Sequence, residues 1–334
     1  MKFGPVDLDQ AKGAILAHSV RLTQGGRLRK GRKLDAKDLE ALEESGFSQV
    51  TVARLDENDE HEDDAAETLA RAFAPDPSRL GLECSKAFTG RVNLLAAGPG
   101  VVKLDVAAIE AVNCIHPMIT IATVPPYQQM QTGGMVATIK IISYAVPQAD
   151  LNAACELANA AIRVCGPVLE TVRLIVSDIP GGPGDKGWRA IADRVQAFGL
   201  QMAPPVVVEH SVEALAAVLN LETSDLTLVL TGSATSDIED VAPQAVRIAG
   251  GQVDYFGMPV DPGNLLFLGA LNDKPVIGLP GCARSPALNG ADWIMARIIC
   301  GISVTGADIA GMGVGGLLKE IPSRPQPRRS RKTS

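Results

Sequence analysis

No stretch of this chain approaches the roughly 20 consecutive apolar residues that a membrane-spanning helix needs, so no membrane role is expected. The opening residues, Met1-Lys-Phe-Gly-Pro, lack the apolar centre of a secretory leader. Cysteine is sparse: six residues in 334, at positions 84, 114, 155, 165, 282 and 300. No two of them have Cys-x-x-Cys spacing, which argues against zinc and iron–sulfur sites. Unpaired cysteines suit a reducing compartment, and a cytoplasmic protein is expected. An excess of positive charge is missing too, with 31 Lys+Arg against 38 Asp+Glu and a formal net charge of −7. Nucleic acid is therefore not the expected partner, because neutralising its phosphates takes a basic surface.

What the chain has is an ordinary globular balance, 46% hydrophobic and 21% charged, and enough length for two or three domains. The expected division is an N-terminal α+β segment over 1–74, a mixed α/β middle domain over 75–168, an α/β domain over 169–312, and a disordered tail over 313–334. In the first segment, Arg27-Leu-Arg-Lys-Gly-Arg-Lys places five cations in seven residues. It reads as a solvated basic loop or as a contact for an anion or an acidic partner face. Asp35 to Gly46 predicts a capped amphipathic helix, and Gln49-Val-Thr-Val-Ala-Arg-Leu a strand. The acidic run 56–64 leads into a helix over 65–73. The middle region predicts strands at 91–96, 119–124 and 135–142 and a short helix over 105–113. His116, before Pro117, falls in a loop. Asn93, Lys103 and Lys140 are polar residues available to a ligand cleft there.

From Val172 the pattern becomes strand–helix–strand. Val172-Arg-Leu-Ile-Val and Leu226-Thr-Leu-Val-Leu are short, apolar and β-prone, as buried parallel strands are. Helices are predicted over 188–198, 212–219 and 243–249, the last stopped by Gly250-Gly251. Alternation of this kind predicts a doubly wound, mostly parallel sheet, with its ligand cleft at the strands' carboxyl ends. The loops leaving the strands after 176, 230 and 278 can then converge on one ligand. The central loop, Thr231-Gly-Ser-Ala-Thr-Ser-Asp-Ile-Glu-Asp-Val-Ala-Pro, aims backbone N–H groups and a helix start at one point, a natural anion site. It also holds Asp237, Glu239 and Asp240. Carboxylates there either hold Mg²⁺ and move protons or simply cap the following helix.

That loop resembles the Thr-Gly-Gly-Thr-Gly…Arg-Asp-Val-Thr-Pro-Glu-Ala signature of molybdopterin adenylyltransferases. It is also similar to the Gly-Gly-Val-Ser…Asp loop of molybdopterin molybdenumtransferases. Two further stretches, Val260-Asp-Pro-Gly-Asn-Leu-Leu-Phe-Leu-Gly and Lys274-Pro-Val-Ile-Gly-Leu-Pro-Gly-Cys, resemble the latter family's Lys-Pro-Gly-Lys-Pro…Gly and Lys-Pro-Val-Phe-Gly-Leu-Pro-Gly-Asn-Pro. Ser177, Asp178, Asp185 and Gly187 are similar to the adenylyltransferases' Ser-Asp…Gly-Asp-x-x-Gly. The resemblance covers the C-terminal half well and the first half loosely.

The resemblance implies an enzyme of molybdenum-cofactor assembly that binds molybdopterin or its adenylylated form and performs adenylyl transfer or molybdate insertion with Mg²⁺. Asp240, with Asp237 and Glu239, would carry the chemistry, and Asp240 and Asp237 the metal. Thr231, Gly232, Ser233, Thr235, Ser236, Asp178, Asp185, Gly187, Pro262, Gly263, Gly278, Pro280, Gly281, Arg284 and Ser285 would hold the ligand. A pterin phosphate is the expected small molecule, with ATP or molybdate as co-substrates and a nucleotidyltransferase or molybdoenzyme as partner. A homo-oligomer is also expected. Two departures favour instead a non-catalytic carrier of the cofactor. The family's Thr-x-Ser-Ala-Met-Asp-Gly-Tyr-Ala is absent, and its glycines and Asn-Pro are replaced by Ser233, Ala234-Thr235 and Cys282-Ala283. Cys282 reads either as a thiol facing the ligand or, by default, as a buried free cysteine.

Overall fold

The computed structural model describes residues 1–318. Its contacts divide the chain into two compact units, one holding 1–98 and 102–165, the other 99–101 and the chain from 166 onward. The segments expected at 1–74 and 75–168 thus fall largely within one unit.

That first unit contains two apolar cores. One gathers Val6, Leu16, Leu34, Leu42, Val50 and Val52 beneath a small antiparallel sheet ordered Lys2–Asp7, Gln49–Arg54, Ile15–Leu16. The helix Ala36–Glu44 starts as its sequence dictates: Asp35 accepts from the Asp38 N–H while Asp38 accepts from the Asp35 N–H. Gly46, at φ 85°, supplies the left-handed residue after it. The second core is built by an antiparallel sheet ordered Ile119–Thr123, Met135–Ile141, Arg91–Ala96, Leu82–Cys84. The helix Glu62–Phe73 belongs to this core, although its sequence position groups it with the first segment. Its Ala65, Ala66, Leu69 and Phe73 form one apolar stripe, and all four are buried there.

The C-terminal unit is mixed α/β. Its strands are β1 (Val172–Asp178), β2 (Val206–Glu209), β3 (Leu226–Thr231), β4 (Gln252–Phe256), β5 (Phe267–Leu271) and β6 (Lys274–Leu279). They form one sheet ordered β2-β1-β3-β6-β5-β4. Pairing is parallel among β2, β1, β3 and β6 and antiparallel for β5 and β4. β3 reads as an unbroken apolar-plus-threonine run because it lies mid-sheet with every residue buried. The helices are α1 (Trp188–Gln196), α2 (Val212–Leu219), α3 (Val241–Ile248), α4 (Gly290–Ile299) and α5 (Gly306–Gly311). Leu215 and Leu219 of α2 and Ala245 and Val246 of α3 share a core with Ile175, Val229, Phe267 and Val276 of the sheet. Elsewhere α1 is tied to α4 by an Arg194–Asp292 ion pair.

α3 begins two residues before its expected start at Pro243. Proline is tolerated there because N–H groups in a helix's first turn have no carbonyl within the helix to reach. Residues 313–318, grouped with the tail by composition, include Leu317, which bridges Asp261, and Leu318, whose N–H donates to the Asp261 carbonyl at 2.8 Å. The rest of the expected tail, 319–334, lies outside the described residues.

No helix of the described residues is long and apolar enough to cross a membrane. In the middle region, two of the three polar residues offered to a ligand cleft, Asn93 and Lys140, serve the fold, and Lys103 is exposed. Asn93 accepts from Thr138 Oγ1 at 2.8 Å, and Lys140 bonds the Thr89 carbonyl and lies 3.5 Å from Glu62. His116 sits after the helix Val106–Ile115, where its Nδ1 accepts from the Met118 N–H.

Candidate functional site

Parallel strands leave their loops at one edge of the sheet, and three such loops meet at the carboxyl ends of β1, β3 and β6. Two glycines permit the approach. A Cβ at Gly232 would lie 3.0 Å from the Ser177 carbonyl oxygen and 3.1 Å from Asp178 Cα, so a side chain there would push the β3 loop and β1 apart by a few tenths of an ångström. Gly187, at φ 84°, brings its own backbone so close that a Cβ would be 2.6 Å from the Arg284 carbonyl oxygen.

Arg284 holds the three loops together. Its Nη1 donates to the carbonyls of Gly184 (2.9 Å) and Lys186 (2.7 Å), and its Nη2 to that of Thr231 (3.2 Å). Burial lowers the guanidinium pKa from its ordinary value, and the charges of Asp178 and Asp185 oppose that shift. The planar fork that would suit a phosphate is therefore engaged by the protein's own carbonyls.

A second arginine supports the same segment from behind. Arg194 of α1 pairs with Asp292 and donates to the carbonyls of Ala283 (3.0 Å), Ser285 (2.8 Å) and Ala287 (2.9 Å). Its side chain is only 13% exposed, so the ion pair and the bond to Ala283 act with little competition from water, while those to Ser285 and Ala287 lie at the surface.

The acids of the β3 loop serve its local geometry. Asp240 caps α3: one carboxylate oxygen accepts from Val241 N–H at 2.7 Å and the other from Ser236 N–H at 3.0 Å. Asp237 accepts from Glu239 N–H at 2.8 Å, and Glu239 reaches Arg247 at 3.4 Å. Among the described residues, no three His, Cys, Asp or Glu gather as a metal group. Thr231 is buried, its hydroxyl donating to the Ser233 carbonyl at 2.5 Å and lying 3.2 Å from Thr235 Oγ1. Together these bonds fix a tight turn that leaves Ser233 and Ala234 exposed, their N–H groups making no hydrogen bond among the described residues.

The other residues singled out by sequence divide into two groups. Asp178 turns the β1 loop, accepting from Gly184 N–H at 2.9 Å. Pro280 and Gly281 start the short 3-10 turn Gly281–Arg284, and Ser285 Oγ accepts from Ala287 N–H. Those lie at or beside the three-loop edge. Gly278 lies inside β6, where a Cβ would stand 2.0 Å from the Phe267 ring, so it serves packing. Pro262 and Gly263 pack on the start of α4: the Pro262 carbonyl accepts from Gly290 N–H at 2.8 Å, and a Cβ at Gly263 would lie 2.6 Å from that nitrogen. Cys282, expected to be buried by default, is exposed, because the turn that carries it faces solvent.

Three features had escaped the sequence reading. Arg194 is one. A second is a Ser177–His210 pair, with Ser177 Oγ 2.9 Å from His210 Nδ1 and the His210 N–H bonded to the Asp178 carbonyl. It brings a fourth loop, following β2, to the same edge; a histidine directly after a parallel strand was its only signal. The third is Asn289, the fully buried cap of α4, whose Nδ2 has no hydrogen-bond partner.

Comparison with known proteins adds little to this geometry. Residues 5–54 match a family described as a domain of unknown function (DUF8806). No curated protein matches the chain. A solved molybdopterin biosynthesis moea protein from Pyrococcus horikosii is 12% identical, with 90% of this chain and 75% of that one covered and a TM-score of 0.32. A likeness at that level decides neither fold nor function, which rest on the residues themselves.

Proposed function

We propose that the C-terminal unit is a molybdopterin-binding module of molybdenum-cofactor assembly, which holds a pterin phosphate at the carboxyl ends of β1, β3 and β6. The observation that carries the reading is the β3 loop. Gly232 lets it approach β1, and in the turn closed by Thr231 and Thr235 the exposed Ser233 and Ala234 have N–H groups with no hydrogen bond among the described residues. Unbonded consecutive amides on a rigid turn are donors ready for an anion, and the loop's sequence is the one that resembles the molybdopterin families. In this reading the sheet is doubly wound. Its order changes direction between β1 and β3, and ligands of such sheets bind where the order reverses.

The fit to a pterin phosphate is one of donors and shape. Ser233, Ala234 and the Pro280–Gly281 turn would hold the phosphate end, and Arg284 and Arg194 keep the loops in place without touching it. Molybdopterin would supply the dithiolene that carries molybdenum; the chain's part is to bind and orient it. The carrier function is favoured over adenylyl transfer or molybdate insertion because, beside the two sequence departures, Asp240 has both carboxylate oxygens engaged by backbone N–H groups. Mg²⁺ there would have to share those oxygens with the cap.

The test is mass spectrometry of pterins that co-purify with the full chain from a host making the cofactor, with Ser233→Asp as control. Ser233 is exposed, so the substitution adds a charge at the turn while sparing the core. A pterin phosphate on the wild type and none on Ser233→Asp is expected. Absence of any pterin from the wild type would contradict the proposal.

A further inference from the structure

Within the first 61 residues lies a cleft of about 590 Å³, inside the range of small-molecule sites. Its charged lining is Lys12, Lys33 and Arg54, joined by His61, and no carboxylate lines it. The cations are placed by backbone. Gly13 and Gly31, both with positive φ, turn the chain, and their N–H groups bond the carbonyls of Leu34 (2.9 Å) and Leu16 (2.8 Å). Lys33 bridges Ile15, and Arg54 ends the central strand of the small sheet. Among the described residues, none of the three is in an ion pair, whereas neighbouring Arg32 is held by Asp38 at 2.6 Å. His61 uses Nδ1 to accept from Asp63 N–H, which leaves Nε2 as its donor.

Three unneutralised cations converging on one concavity, in a chain of net charge −7, are not a product of composition. They cost self-repulsion, which an anion would relieve. We propose that this cleft binds a small phosphate-bearing anion of the di- or triphosphate class. Three positive charges match a pyrophosphate group, the Arg54 fork suits two phosphate oxygens, and the lysines act as point charges. The volume exceeds what a single phosphate needs and leaves room for an organic group against Ile15 and Leu55. No Phe, Tyr or Trp side chain lines the cleft, so recognition rests mainly on the phosphates. This site is independent of the pterin site proposed for the C-terminal unit.

The experiment is calorimetric titration of the full chain with pyrophosphate and, separately, with ATP, at about 0.1 M salt to screen distant charges. Two triple variants remove the same charge: Lys12→Gln/Lys33→Gln/Arg54→Gln in the cleft, and Arg27→Gln/Arg29→Gln/Lys30→Gln on the same basic run outside it. All six residues are exposed, so the fold should tolerate either set. Both probes should saturate the wild type at one equivalent. The cleft variant should bind at least about tenfold more weakly, as loss of charge-assisted bonds implies, and the control should change by less than about threefold. Ser233→Asp should leave this binding unchanged even if it abolishes pterin binding. Failure of both probes to saturate the wild type would overturn the proposal. So would equal losses in the two triple variants, which would mean diffuse charge, or full affinity in the cleft variant, which would place binding elsewhere. Saturation by both probes assigns the site to the phosphates, and saturation by ATP alone assigns part of it to the nucleoside.

Discussion

Arg284 is the residue at which two readings of the C-terminal site part. Its sequence position, three residues after Gly281 in a strand-to-helix loop, suggests a guanidinium reaching a ligand phosphate, but its three bonds to carbonyls make it a clamp on the loops. Arg284→Ala should therefore destabilise the unit by about 1–3 kcal/mol, since three carbonyls, two of them in part-buried bonds, lose a charged donor. Chemical denaturation would show this, and an unchanged midpoint would return Arg284 to the ligand. Arg284→Lys should not restore stability, because an ammonium cannot span acceptors on separate loops. Asp240 gives a milder expectation. Asparagine keeps one acceptor for a helix cap but turns an amide NH2 toward the second N–H, so Asp240→Asn should cost only about 1–2 kcal/mol. A larger loss in thermal denaturation would show that its charge, and not its cap, matters.

At the scale of elements, much of the C-terminal unit was legible, because its signals are local. The apolar runs of β1 and β3, Gly199 after α1, and Gly250-Gly251 after α3 each mark an element's limits in a few residues. The meeting of the loops after β1, β3 and β6 followed from parallel pairing alone. What the sequence could not show was which long side chains span between elements. Arg194 on α1 and the carbonyls it bonds are about ninety residues apart, and nothing in the helix pattern marks the contact. Removing it should be expensive: Arg194→Met leaves Asp292 with an unpaired, mostly buried charge, at a cost of about 3–5 kcal/mol, measurable by urea unfolding. Gly278 is a related case. Its motif suggests a ligand glycine, yet a Cβ there would enter the Phe267 ring, which is only 1% exposed and has no room to turn away. Gly278→Ala should destabilise by about 1–3 kcal/mol by overpacking β5 against β6, with the remaining ligand loops undisturbed. Stability equal to wild type would mean that the ring moves freely.

Over the whole molecule, pH gives an independent check on the packing. Asp225 is held below the usual carboxylate range by the Thr171 hydroxyl and by the N–H groups of Thr171 and Glu170, and Asp308 by Thr305 in the same way. A depressed folded pKa contributes stability above the unfolded value and loses it as pH falls through the folded value. Stability should therefore fall on the acid side, below the ordinary carboxylate range, and Thr171→Val should make that fall shallower. Glu62 runs the other way: burial raises its pKa, so it costs stability at neutral pH and ceases to do so as it protonates. Denaturation midpoints measured across the acid range would show both signs.

The central claim, that the three-loop edge binds a pterin phosphate without a catalytic carboxylate, is tested most directly by anaerobic calorimetric titration of molybdopterin into the full chain. Wild type and Asp240→Asn would be compared with and without a chelator of Mg²⁺, with Ser233→Asp as the blocked loop. Wild type and Asp240→Asn should bind with equal affinity in every condition, and Ser233→Asp should bind at least about tenfold more weakly, since it sets a carboxylate against the ligand's phosphate. Binding that requires Mg²⁺ and collapses in Asp240→Asn would contradict the account and make Asp240 a metal ligand.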